Sequence, residues 1–427
     1  MLLVIAFWGS DLQYHPSREI VCKLSHELEG HTVILGVSYS AAIYRAIDVA
    51  RHLLRYCANV KVLLTPKAAH IIAPDLFHWA TGERPLVELS GDTEHIALSK
   101  IATSMVIAPA TLNTLAKIAH GIADNVVIAT AIVMNSFGKP VIVVPTMHRE
   151  MLLSKQAREI ISKLYEQGYQ ILPPIEENHR IVFPSAYYIA RKVVASTLRG
   201  EDLRDMRITV TAGATREYID DIRFISNPST GRMGIAIALE AFFRGASVNL
   251  ITGHIEVPLP PWIHIDSAVN TEEMAKVIIR TIERRRPHAV IMAAAPADFK
   301  PRERVKGKIS SRIEKMNLEL IPTTKILKEL RKVYDGVLVG FAAESVTDLD
   351  ELAELAKRKL EEYELDAIVA NPIGKKGIGF ASPINEVIIL LPNGTKIHRG
   401  PTIKEEIARD ILDIVKDLIK KKLGAIE

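Results

Sequence analysis

The chain has 427 residues, of which 48% are apolar and 24% are charged, and its formal net charge is +4. This composition excludes a disordered or fibrous protein, and the length predicts two or three globular domains. The basic residues are scattered or gathered near the C-terminus, so we expect no nucleic-acid partner.

Cysteine content and the N-terminal residues indicate the cellular compartment. Cys22 and Cys57 are the only cysteines and form no CxxC motif, so the sequence predicts neither a disulfide nor a zinc site, and it predicts a cytoplasmic location. The opening stretch MLLVIAFW is too short to span a bilayer and lacks the basic residues of a signal peptide. We interpret residues 1–30 as an N-terminal extension and expect no membrane partner.

Short apolar runs alternate with helix-period segments after this extension. The runs HTVILGV, NVKVLLT, TSMVIAPA and KPVIVVPT are rich in β-branched residues, and amphipathic segments such as SAAIYRAIDVARHLLRY separate them. This alternation predicts a parallel sheet with helices on both faces. We place this domain at residues 31–189 and a charged linker at residues 190–206.

The same alternation begins again at RITVTAG and predicts a second domain at residues 207–427. A hairpin with Asn393-Gly394 at its turn and an amphipathic helix from Thr402 complete this domain. The predicted fold class is therefore α/β, with two doubly wound and mainly parallel sheets. Ligands of such sheets bind beyond the carboxyl ends of the strands, so the loops that follow the strands are the candidate sites.

Three strand-to-helix loops of the first domain have the geometry of an anion site. They are GVSYSAAIYRA, TSMVIAPATLNTLAKIAHGIADN and VIVVPTMHREM. Helix N-termini carry unpaired N–H groups, so together these loops could bind a phosphorylated cofactor, although each alone could be a capped helix.

These loops resemble those of the flavin-dependent cysteine decarboxylases, in particular phosphopantothenoylcysteine decarboxylase, over residues 31–185. APATLNTLAKIAHGIADN is the most specific part of the resemblance. It implies a flavodoxin-like domain that binds FMN. In that family FMN oxidises the substrate thiol to a thioaldehyde, the adjacent carboxylate then leaves as CO2, and the reduced flavin returns the electrons.

The same resemblance implies roles for individual residues. His95 matches the active-site histidine, and histidine is the side chain most often used for proton transfer in enzymes, so it suits proton transfer at a thiol. Met147 and His148 match the substrate-binding motif. The candidate FMN contacts are Ser38, Ser40, Thr111, Asn113 and Asp124.

Three features depart from the decarboxylase pattern. Tyr39 stands where the family has a glycine in the first loop, and His148 replaces an asparagine that binds the substrate carboxylate. Residues 150–205 contain no cysteine, whereas the bacterial flap carries one. These departures leave open whether the first half completes the decarboxylation cycle.

In the second domain a long loop, TAGATREYIDDIRFISNPSTGRMG at residues 211–234, joins a strand to a helix predicted from about Thr230 to Ala236. Ser229, Thr230 and Gly231 permit an anion to approach the helix start, and a turn before a capped helix is the alternative. A dinucleotide site is disfavoured. The GxGxxG motif is absent, and the strand SVNLITGH ends without an acidic residue for a ribose.

Two further loops strengthen the prediction of a nucleotide site. PADFKPRERVKGKISSR follows the strand HAVIMAAA, and FAAES follows VLVG. Lysine and arginine in a mobile loop beside a crevice can neutralise phosphates and exclude water, although a solvated charged loop is the alternative. Three polar loops at one sheet edge favour the nucleotide site.

These motifs resemble phosphopantothenate-cysteine ligase of coenzyme A biosynthesis over about residues 205–425. The resemblance implies a Rossmann-like domain that activates 4'-phosphopantothenate with CTP and Mg2+, after which the cysteine amine displaces the nucleotide. It implies that Asn227 assists breakdown of the acyl-nucleotide by hydrogen bonding to the acyl phosphate or the developing oxyanion. Lys308 matches a mobile-loop lysine, with Ser310 and Ser311 in place of further lysines. The implied CTP-binding residues are Gly213, Ser229, Gly231, Met233, Asp298 and Phe341.

The leading hypothesis is a bifunctional enzyme that ligates cysteine to 4'-phosphopantothenate and decarboxylates the product to 4'-phosphopantetheine. One alternative is a ligase whose first half only binds flavin or supports assembly. Another is a flavin-dependent oxidoreductase or decarboxylase of a different thiol, with a nucleotide-binding regulatory half. The resemblance also implies a homo-oligomer with trimeric decarboxylase and dimeric ligase contacts, which combine into a dodecamer in some relatives.

Overall fold

The computed structural model describes residues 15–312, 314–374, 377–379 and 381–424. The chain divides into two compact units, Met1–Gly200 and Glu201–Glu427. The apolar opening stretch of the predicted extension lies outside the described residues. Within the described residues, no helix combines the length and the apolar composition that a membrane span needs.

The first unit is built on a parallel sheet. Its strands are β1 (Thr32–Val37), β2 (Asn59–Leu64), β3 (Ser104–Ala110), β4 (Val141–Pro145) and β5 (Gln170–Ile171). They pair in the order β2-β1-β3-β4-β5, and every pairing is parallel. This is the flavodoxin-like order, in which the direction of strand addition reverses between β1 and β3. The predicted fold class is confirmed for this unit.

Helices and a small hairpin surround this sheet. The helices are α1 (Ala46–Arg55), α2 (Pro66–Ile71), α3 (Pro74–Thr81), α4 (Glu94–Ile101), α5 (Leu112–Ala119), α6 (Val126–Ser136), α7 (Arg149–Leu152), α8 (Lys155–Glu166) and α9 (Ala186–Arg199). An antiparallel pair is formed by β6 (Ile175–Glu177) and β7 (Arg180–Val182). All residues of β3 are buried, because helices cover both of its faces.

Residues that the sequence assigned to the extension pack within the first unit. Cys22 and Cys57 form a disulfide, so the prediction of no disulfide is wrong. The Cys22 N–H donates to the oxygen of Leu54 at 3.0 Å, which holds this segment beside the end of α1, and Leu28 is fully buried. The two cysteines lie 35 positions apart, so only tertiary packing brings them together.

The predicted linker is wrong over its first half. Helix α9 extends to Arg199 and packs against α1. Ile189, Val193 and Val194 are fully buried, so these apolar residues belong to the first unit.

The second unit contains a larger sheet. Its strands are β8 (Arg207–Ala212), β11 (Ser247–Thr252), β12 (His264–Ser267), β13 (Ala289–Met292), β16 (Val337–Glu344), β17 (Ala367–Pro372), β18 (Ile384–Leu390) and β19 (Lys396–Ile403). They pair in the order β12-β11-β8-β13-β16-β17-β18-β19, with the last two strands antiparallel to their neighbours. The parallel part has the Rossmann-like order, which reverses between β8 and β13. The predicted fold class is confirmed here too.

The remaining elements cover this sheet or extend its loops. The helices are α10 (Arg232–Phe243), α11 (Thr271–Arg285), α12 (Ile326–Arg331), α13 (Leu349–Glu362) and α14 (Lys404–Gly424). Two short antiparallel pairs join β9 (Arg216–Tyr218) to β10 (Phe224–Ser226) and β14 (Phe299–Pro301) to β15 (Leu320–Pro322). The predicted hairpin is confirmed as β18 and β19.

Helices α10 and α14 are fixed to each other by a buried ion pair. The Arg409 guanidinium donates to the Glu240 carboxylate at 2.9 Å, and both side chains are almost fully buried. This pairing anchors the two helices whose first residues, Arg232 and Lys404, line the cavity described next.

Candidate functional sites

A cavity of about 610 Å3 lies in the second unit, where the loops after β8 and β13 meet β16 and β17. The strand order reverses between β8 and β13, and this is the general ligand position in open α/β sheets. The structure brings six of the predicted site residues together on the cavity wall. They are Asn227, Ser229, Gly231, Met233, Asp298 and Phe341.

Asn227 is held to the opposite loop by its side-chain amide. Its Nδ2 donates to the main-chain oxygen of Pro296 at 2.9 Å and to that of Ala295 at 3.3 Å. The amide donors are therefore engaged within the protein, and Oδ1 is the group of this side chain that can act on a ligand. The expected hydrogen bond from Asn227 to an oxyanion needs these donors, so this geometry favours an acceptor role instead.

Hydrogen bonds from the end of β8 and from the residues that follow it hold the loop after β13 in place. Thr211 Oγ1 accepts from the N–H of Ala294 at 3.0 Å, and Thr215 Oγ1 accepts from the N–H of Ala297 at 2.8 Å. Both threonines are buried. These hydrogen bonds satisfy main-chain donors that would otherwise be orphaned, and they give the cavity a rigid floor.

Two predicted glycines have a left-handed main-chain conformation that strains any other residue. Gly213 has φ +83°, and a Cβ atom there would lie 2.2 Å from the main-chain oxygen of His254. Gly231 has φ +80°, and its Cβ would lie 2.2 Å from Cδ1 of Ile255. Gly213 does not line the cavity, so its function in the structure is close packing. Gly231 lines the cavity as the residue that caps α10.

Asp298 is paired rather than free. Its Oδ1 lies 2.6 Å from Nζ of Lys325, and this hydrogen bond raises the pKa of the lysine. Phe341 lies inside β16, which runs to Glu344. The prediction that FAAES forms a loop after the strand is therefore wrong. The strand continues because parallel pairing with β17 extends from Val339 to Glu344.

Lys308 does not line the cavity. It lies in the excursion between β14 and β15, and its neighbours on both sides are anchored by hydrogen bonds. Asp221 accepts from the N–H of Gly307 at 2.9 Å, and Asp220 accepts from the N–H of Ile309 at 3.1 Å. The main chain around Lys308 is therefore held in place. The Lys308 side chain is exposed, so its ammonium group lies in solvent.

Asp220 is the central acceptor of this anchor. Its carboxylate also accepts from the N–H of Arg223 at 2.6 Å and from the Arg223 guanidinium at 3.0 Å. The main-chain hydrogen bonds, led by that from Arg223, hold the pKa of Asp220 below its usual value. The carboxylate therefore stays ionised and keeps the loop attached at neutral pH.

The cavity wall also contains polar residues that are not among the predicted site residues. They are Arg232, Lys325, Lys359, Asn371, Asn385 and Lys404. Arg232 belongs to the stretch TAGATREYIDDIRFISNPSTGRMG, and its position at a helix start is the signal that marks it. Lys404 and Asn385 follow no recognisable motif, because β18 and α14 reach the cavity only through the sheet order.

In the first unit, Ser38 and Thr111 are brought together where the strand order reverses. Ser38 follows β1 and Thr111 follows β3, and Ser38 Oγ accepts from the N–H of Thr111 at 3.0 Å. The same hydroxyl donates to the oxygen of Pro109 at 2.8 Å. Ser38 is buried, so it fixes the two loops to each other at the expected ligand edge.

The other candidate contacts of the first unit have separate environments. Ser40 accepts from the N–H of Ala42 at 3.2 Å and so caps a short 3-10 helix. Asn113 is exposed near the start of α5. Asp124 pairs with Lys117, and that hydrogen bond lowers the pKa of Asp124. No hydrogen bond between described residues links these three side chains to Ser38.

His95 lies in the first turn of α4 and carries an orphaned atom. Its Nδ1 is buried and has no hydrogen-bond partner among the described residues. Buried polar atoms are nearly always satisfied, so this nitrogen is a candidate to meet a ligand. The sequence alone gave His95 no priority over the other histidines apart from the family resemblance.

The residues of the third loop follow β4. Met147 packs partly against the apolar core of the unit, and His148 is exposed at the start of α7. His148 makes no capping hydrogen bond. Tyr39, at the glycine position of the first loop, is 53% exposed, so its ring points away from the core.

Two family models match the chain along most of its length. The flavoprotein family matches residues 21–197, and the DNA/pantothenate metabolism flavoprotein C-terminal domain matches residues 203–419. The coenzyme A biosynthesis bifunctional protein CoaBC of Thermococcus kodakarensis is 35% identical over 409 residues, which are 92% of this chain and 99% of the relative. The chain belongs to the CoaBC family.

The chain is also similar to a second CoaBC protein and to one solved domain structure. The CoaBC protein of Methanocaldococcus jannaschii is 33% identical over 95% of this chain and 98% of the relative. A crystal structure of the C-terminal domain of a CoaBC protein is 32% identical, with a TM-score of 0.43, over 52% of this chain and 99% of that chain. The predicted resemblance is confirmed, and with it the assignment to the bifunctional enzymes of coenzyme A biosynthesis.

Proposed function

We propose that the second unit joins cysteine to 4'-phosphopantothenate with CTP as co-substrate. The cavity at the reversal of strand order carries this proposal, because it gathers Asn227, the start of α10 and several cations in one place. The N–H groups at the start of α10 are unpaired and favour a bound phosphate. The motif resemblance supports these substrates.

The proposed reaction has two steps. A carboxylate oxygen of 4'-phosphopantothenate attacks the α-phosphorus of CTP, the bond to the bridging oxygen breaks, and pyrophosphate leaves. The nitrogen of cysteine then attacks the acyl carbon, the bond to the nucleotide oxygen breaks, and CMP leaves with its electron pair. One proton is lost from the attacking amine. The cations of the cavity stabilise the phosphate charge in both steps.

Asn227 acts in the second step of this proposal. Its Nδ2 is bound to the oxygens of Ala295 and Pro296, which leaves Oδ1 as an acceptor. We propose that Oδ1 accepts a hydrogen bond from the cysteine amine and aims the nitrogen lone pair at the acyl carbon. The same tether keeps the loop after β13 in place.

The cavity supplies few ligands for the proposed Mg2+. Asp298 is the only carboxylate among the described residues that line it, and this carboxylate is paired with Lys325. Mg2+ is commonly held by one or two carboxylates together with substrate phosphates and water. Asp298 together with the nucleotide phosphates would hold the metal, which when bound would withdraw charge from the phosphoryl oxygens.

We propose that Lys308 acts from the anchored loop. Its ammonium is exposed, and the flanking main chain is fixed by Asp220 and Asp221. In this proposal the loop that carries Lys308 moves to bring the cation to the nucleotide, as in other enzymes whose loops close over phosphates.

For the first unit we propose FMN-dependent decarboxylation of the ligated product. The linked pair Ser38 and Thr111 lies at the reversal of strand order, which is where a flavodoxin-like sheet holds FMN. Ser40, Asn113 and Asp124 add polar groups. When bound, FMN accepts the electrons released by oxidation of the substrate thiol. We propose that His95 Nδ1, which is buried and unpartnered among the described residues, takes up the thiol proton.

We also propose a homo-oligomer. The first unit exposes large aromatic side chains at Tyr39, Tyr44 and Trp79, which are 53%, 62% and 53% exposed. Such surfaces favour contact between copies of a chain. Trimeric contacts of the first unit and dimeric contacts of the second, as the resemblance implies, would combine into a closed assembly.

A coupled assay tests the whole proposal. The purified full-length chain is supplied with 4'-phosphopantothenate, cysteine, Mg2+ and either CTP or ATP. We expect pyrophosphate and the cysteine adduct, and then CO2 when FMN is present. Pyrophosphate without CO2 would favour a first unit that binds flavin without turnover. Absence of pyrophosphate with both nucleotides would overturn the ligase proposal.

A further inference from the structure

Lys404 is a buried cation on the wall of the cavity in the second unit. It is the first residue of α14 and is only 2% exposed. Its Nζ donates to the main-chain oxygen of Gly379 at 2.8 Å, and Gly379 lines the same cavity. A lysine is seldom this deeply buried, because removing an ammonium from water is costly without a compensating negative charge.

The surroundings of Lys404 disfavour its charged form. Burial, and after it repulsion from Arg232, lowers the pKa of Lys404 to about 8, although the carboxylate of the neighbouring Glu405 acts in the opposite direction. Arg232 is exposed, lines the same cavity and forms no ion pair with any described residue. Two cations that line one cavity and repel each other are stabilised when an anion binds beside both.

The start of α10 adds to this positive potential. The capping residue Gly231 has no side chain to accept from the first N–H groups of the helix, and α10 has 12 residues. Its unpaired N–H groups carry partial positive charge at the end where Arg232 lies. Three sources of positive potential therefore share one part of the cavity.

An unsatisfied acceptor lies in the same region. Asn385 is 5% exposed and lines the cavity, and its Oδ1 is buried without a hydrogen-bond partner among the described residues. Asn385 of β18 pairs with Thr402 of β19, and Thr402 lies two residues before Lys404 in the chain. A ligand with both a phosphate and a hydroxyl or amine donor would satisfy the cations and this oxygen together.

We propose that Lys404, together with Arg232, binds a phosphate group of a substrate of the ligase reaction. This inference rests on the proposed ligase function. The phosphate belongs either to the nucleoside triphosphate or to 4'-phosphopantothenate, and both carry hydroxyl groups that can donate to Asn385. Lys404 is a binding residue in this proposal, since it contacts the substrate directly.

Steady-state kinetics of Lys404→Met tests the inference. A hydrogen bond to a charged group is strong enough that its loss should raise one KM about 10- to 100-fold. A raised KM for CTP assigns the site to the nucleotide, and a raised KM for 4'-phosphopantothenate assigns it to that phosphate. The KM for cysteine should not change. If neither phosphorylated substrate shows a raised KM, the inference is wrong.

Two further variants protect this test against a folding defect. Lys420→Met makes the same change at an exposed position of α14 and should leave every KM unchanged. Arg232→Met alters an exposed side chain and should raise the same KM as Lys404→Met, so the inference can be judged even where Lys404→Met does not fold. An unchanged KM in Arg232→Met together with a loss of all activity in Lys404→Met would indicate a structural role and overturn the inference.

Failure of the ligase proposal can be separated from failure of this inference. If the unmodified chain releases no pyrophosphate, titration of the full-length chain with inorganic triphosphate still measures the anion site. We expect binding that weakens about tenfold in Arg232→Met and is unchanged in Lys420→Met. If the unmodified chain does not bind triphosphate and is inactive, both proposals are wrong.

Discussion

The side-chain amide of Asn227 donates to the main-chain oxygen of Pro296 at 2.9 Å. This hydrogen bond joins the loop after β8 to the loop after β13, which follow the two strands where the sheet order reverses. A candidate functional residue therefore links the two loops at the ligand-binding edge of the sheet in the second unit. Asn227 can fix the floor of the cavity with Nδ2 while it presents Oδ1 to a substrate.

Replacement of Asn227 by alanine should stop ligation after the first step. The variant loses both the tether and the acceptor, and misplaced reacting groups cost about 100-fold in rate. We expect one equivalent of pyrophosphate per site and accumulated acyl-nucleotide, measured by a burst assay and mass spectrometry. Asn393→Ala, in the exposed hairpin turn, should ligate at the unmodified rate. Multiple turnovers at that rate by Asn227→Ala would contradict the assigned role.

Replacement of His95 by asparagine should stop CO2 release and leave ligation intact. Loss of a proton-transfer group reduces a rate by about 100- to 10,000-fold, and His95 belongs to the first unit only. Radiolabelled CO2 and the cysteine adduct are measured in one reaction. If CO2 is released at the unmodified rate, the assignment of His95 is wrong. Equal loss of both activities would indicate a folding defect.

Replacement of Asp220 by alanine should release the loop that carries Lys308. The variant removes the acceptor for Ile309 and Arg223, so the loop 302–319 should be cleaved by trypsin about ten times faster than in the unmodified protein. We expect slower ligation and a lower thermal unfolding midpoint, because partly buried main-chain donors lose their acceptor. Asp335→Ala changes an exposed carboxylate of the same unit and is the matched control. Unaltered cleavage would show that Asp220 does not anchor the loop.

The stability of the second unit should depend on pH through Lys404. The pKa of this lysine is about 8 in the folded chain, whereas an unperturbed lysine has a pKa of 10.5, so the unfolded chain binds the proton more tightly. The free energy of unfolding should therefore rise between pH 8 and 10.5, by about 3 kcal/mol in all. Below pH 8 the penalty for the buried charge is fully present.

Denaturant unfolding of unmodified protein and Lys404→Met at several pH values measures this dependence. Groups that do not interact with Lys404 are present in both proteins, so their contributions cancel in the difference, whereas Arg232 and Glu405 interact with Lys404 and belong to the effect that is measured. The difference should change only across the stated window. A constant difference from pH 7 to 11 would show that the folded pKa of Lys404 is not lowered.

Reduction of the disulfide between Cys22 and Cys57 should destabilise the first unit. The bond closes a loop with a sequence separation of 35, and the loss of a constraint on a loop of this length costs about 3–4 kcal/mol. Thermal unfolding with and without a reducing agent measures the effect. The double variant Cys22→Ser and Cys57→Ser should match the reduced protein and show no response to the agent. A response in that variant would mean that another process is being measured.

Local sequence patterns were sufficient for the fold class and for part of the candidate site. Runs such as TSMVIAPA become the fully buried strand β3, because their apolar length suits a strand covered on both faces. Asn227, Ser229 and Asp298 could be found since they belong to loops that follow strands, and such loops meet at one sheet edge. The family resemblance supplied the chemistry that these patterns lack.

Other features depended on packing between segments far apart in the chain. The second part of α9 belongs to the first unit rather than to a linker, because its apolar residues are buried. The Cys22–Cys57 bond likewise needed a fold that places the first described segment beside the end of α1.

By itself the sequence determined two α/β halves, their order and the loops that bear the candidate residues, because hydrophobic periodicity and turn residues act locally. Only the tertiary structure decided that Asn227 is bound through Nδ2 and that Lys404 and Asn385 reach the cavity. The pairing of β18 and β19 beyond β17 brings these residues to it. The pKa of Lys404 follows from this burial, since desolvation and the charge of Arg232 act through space rather than along the chain.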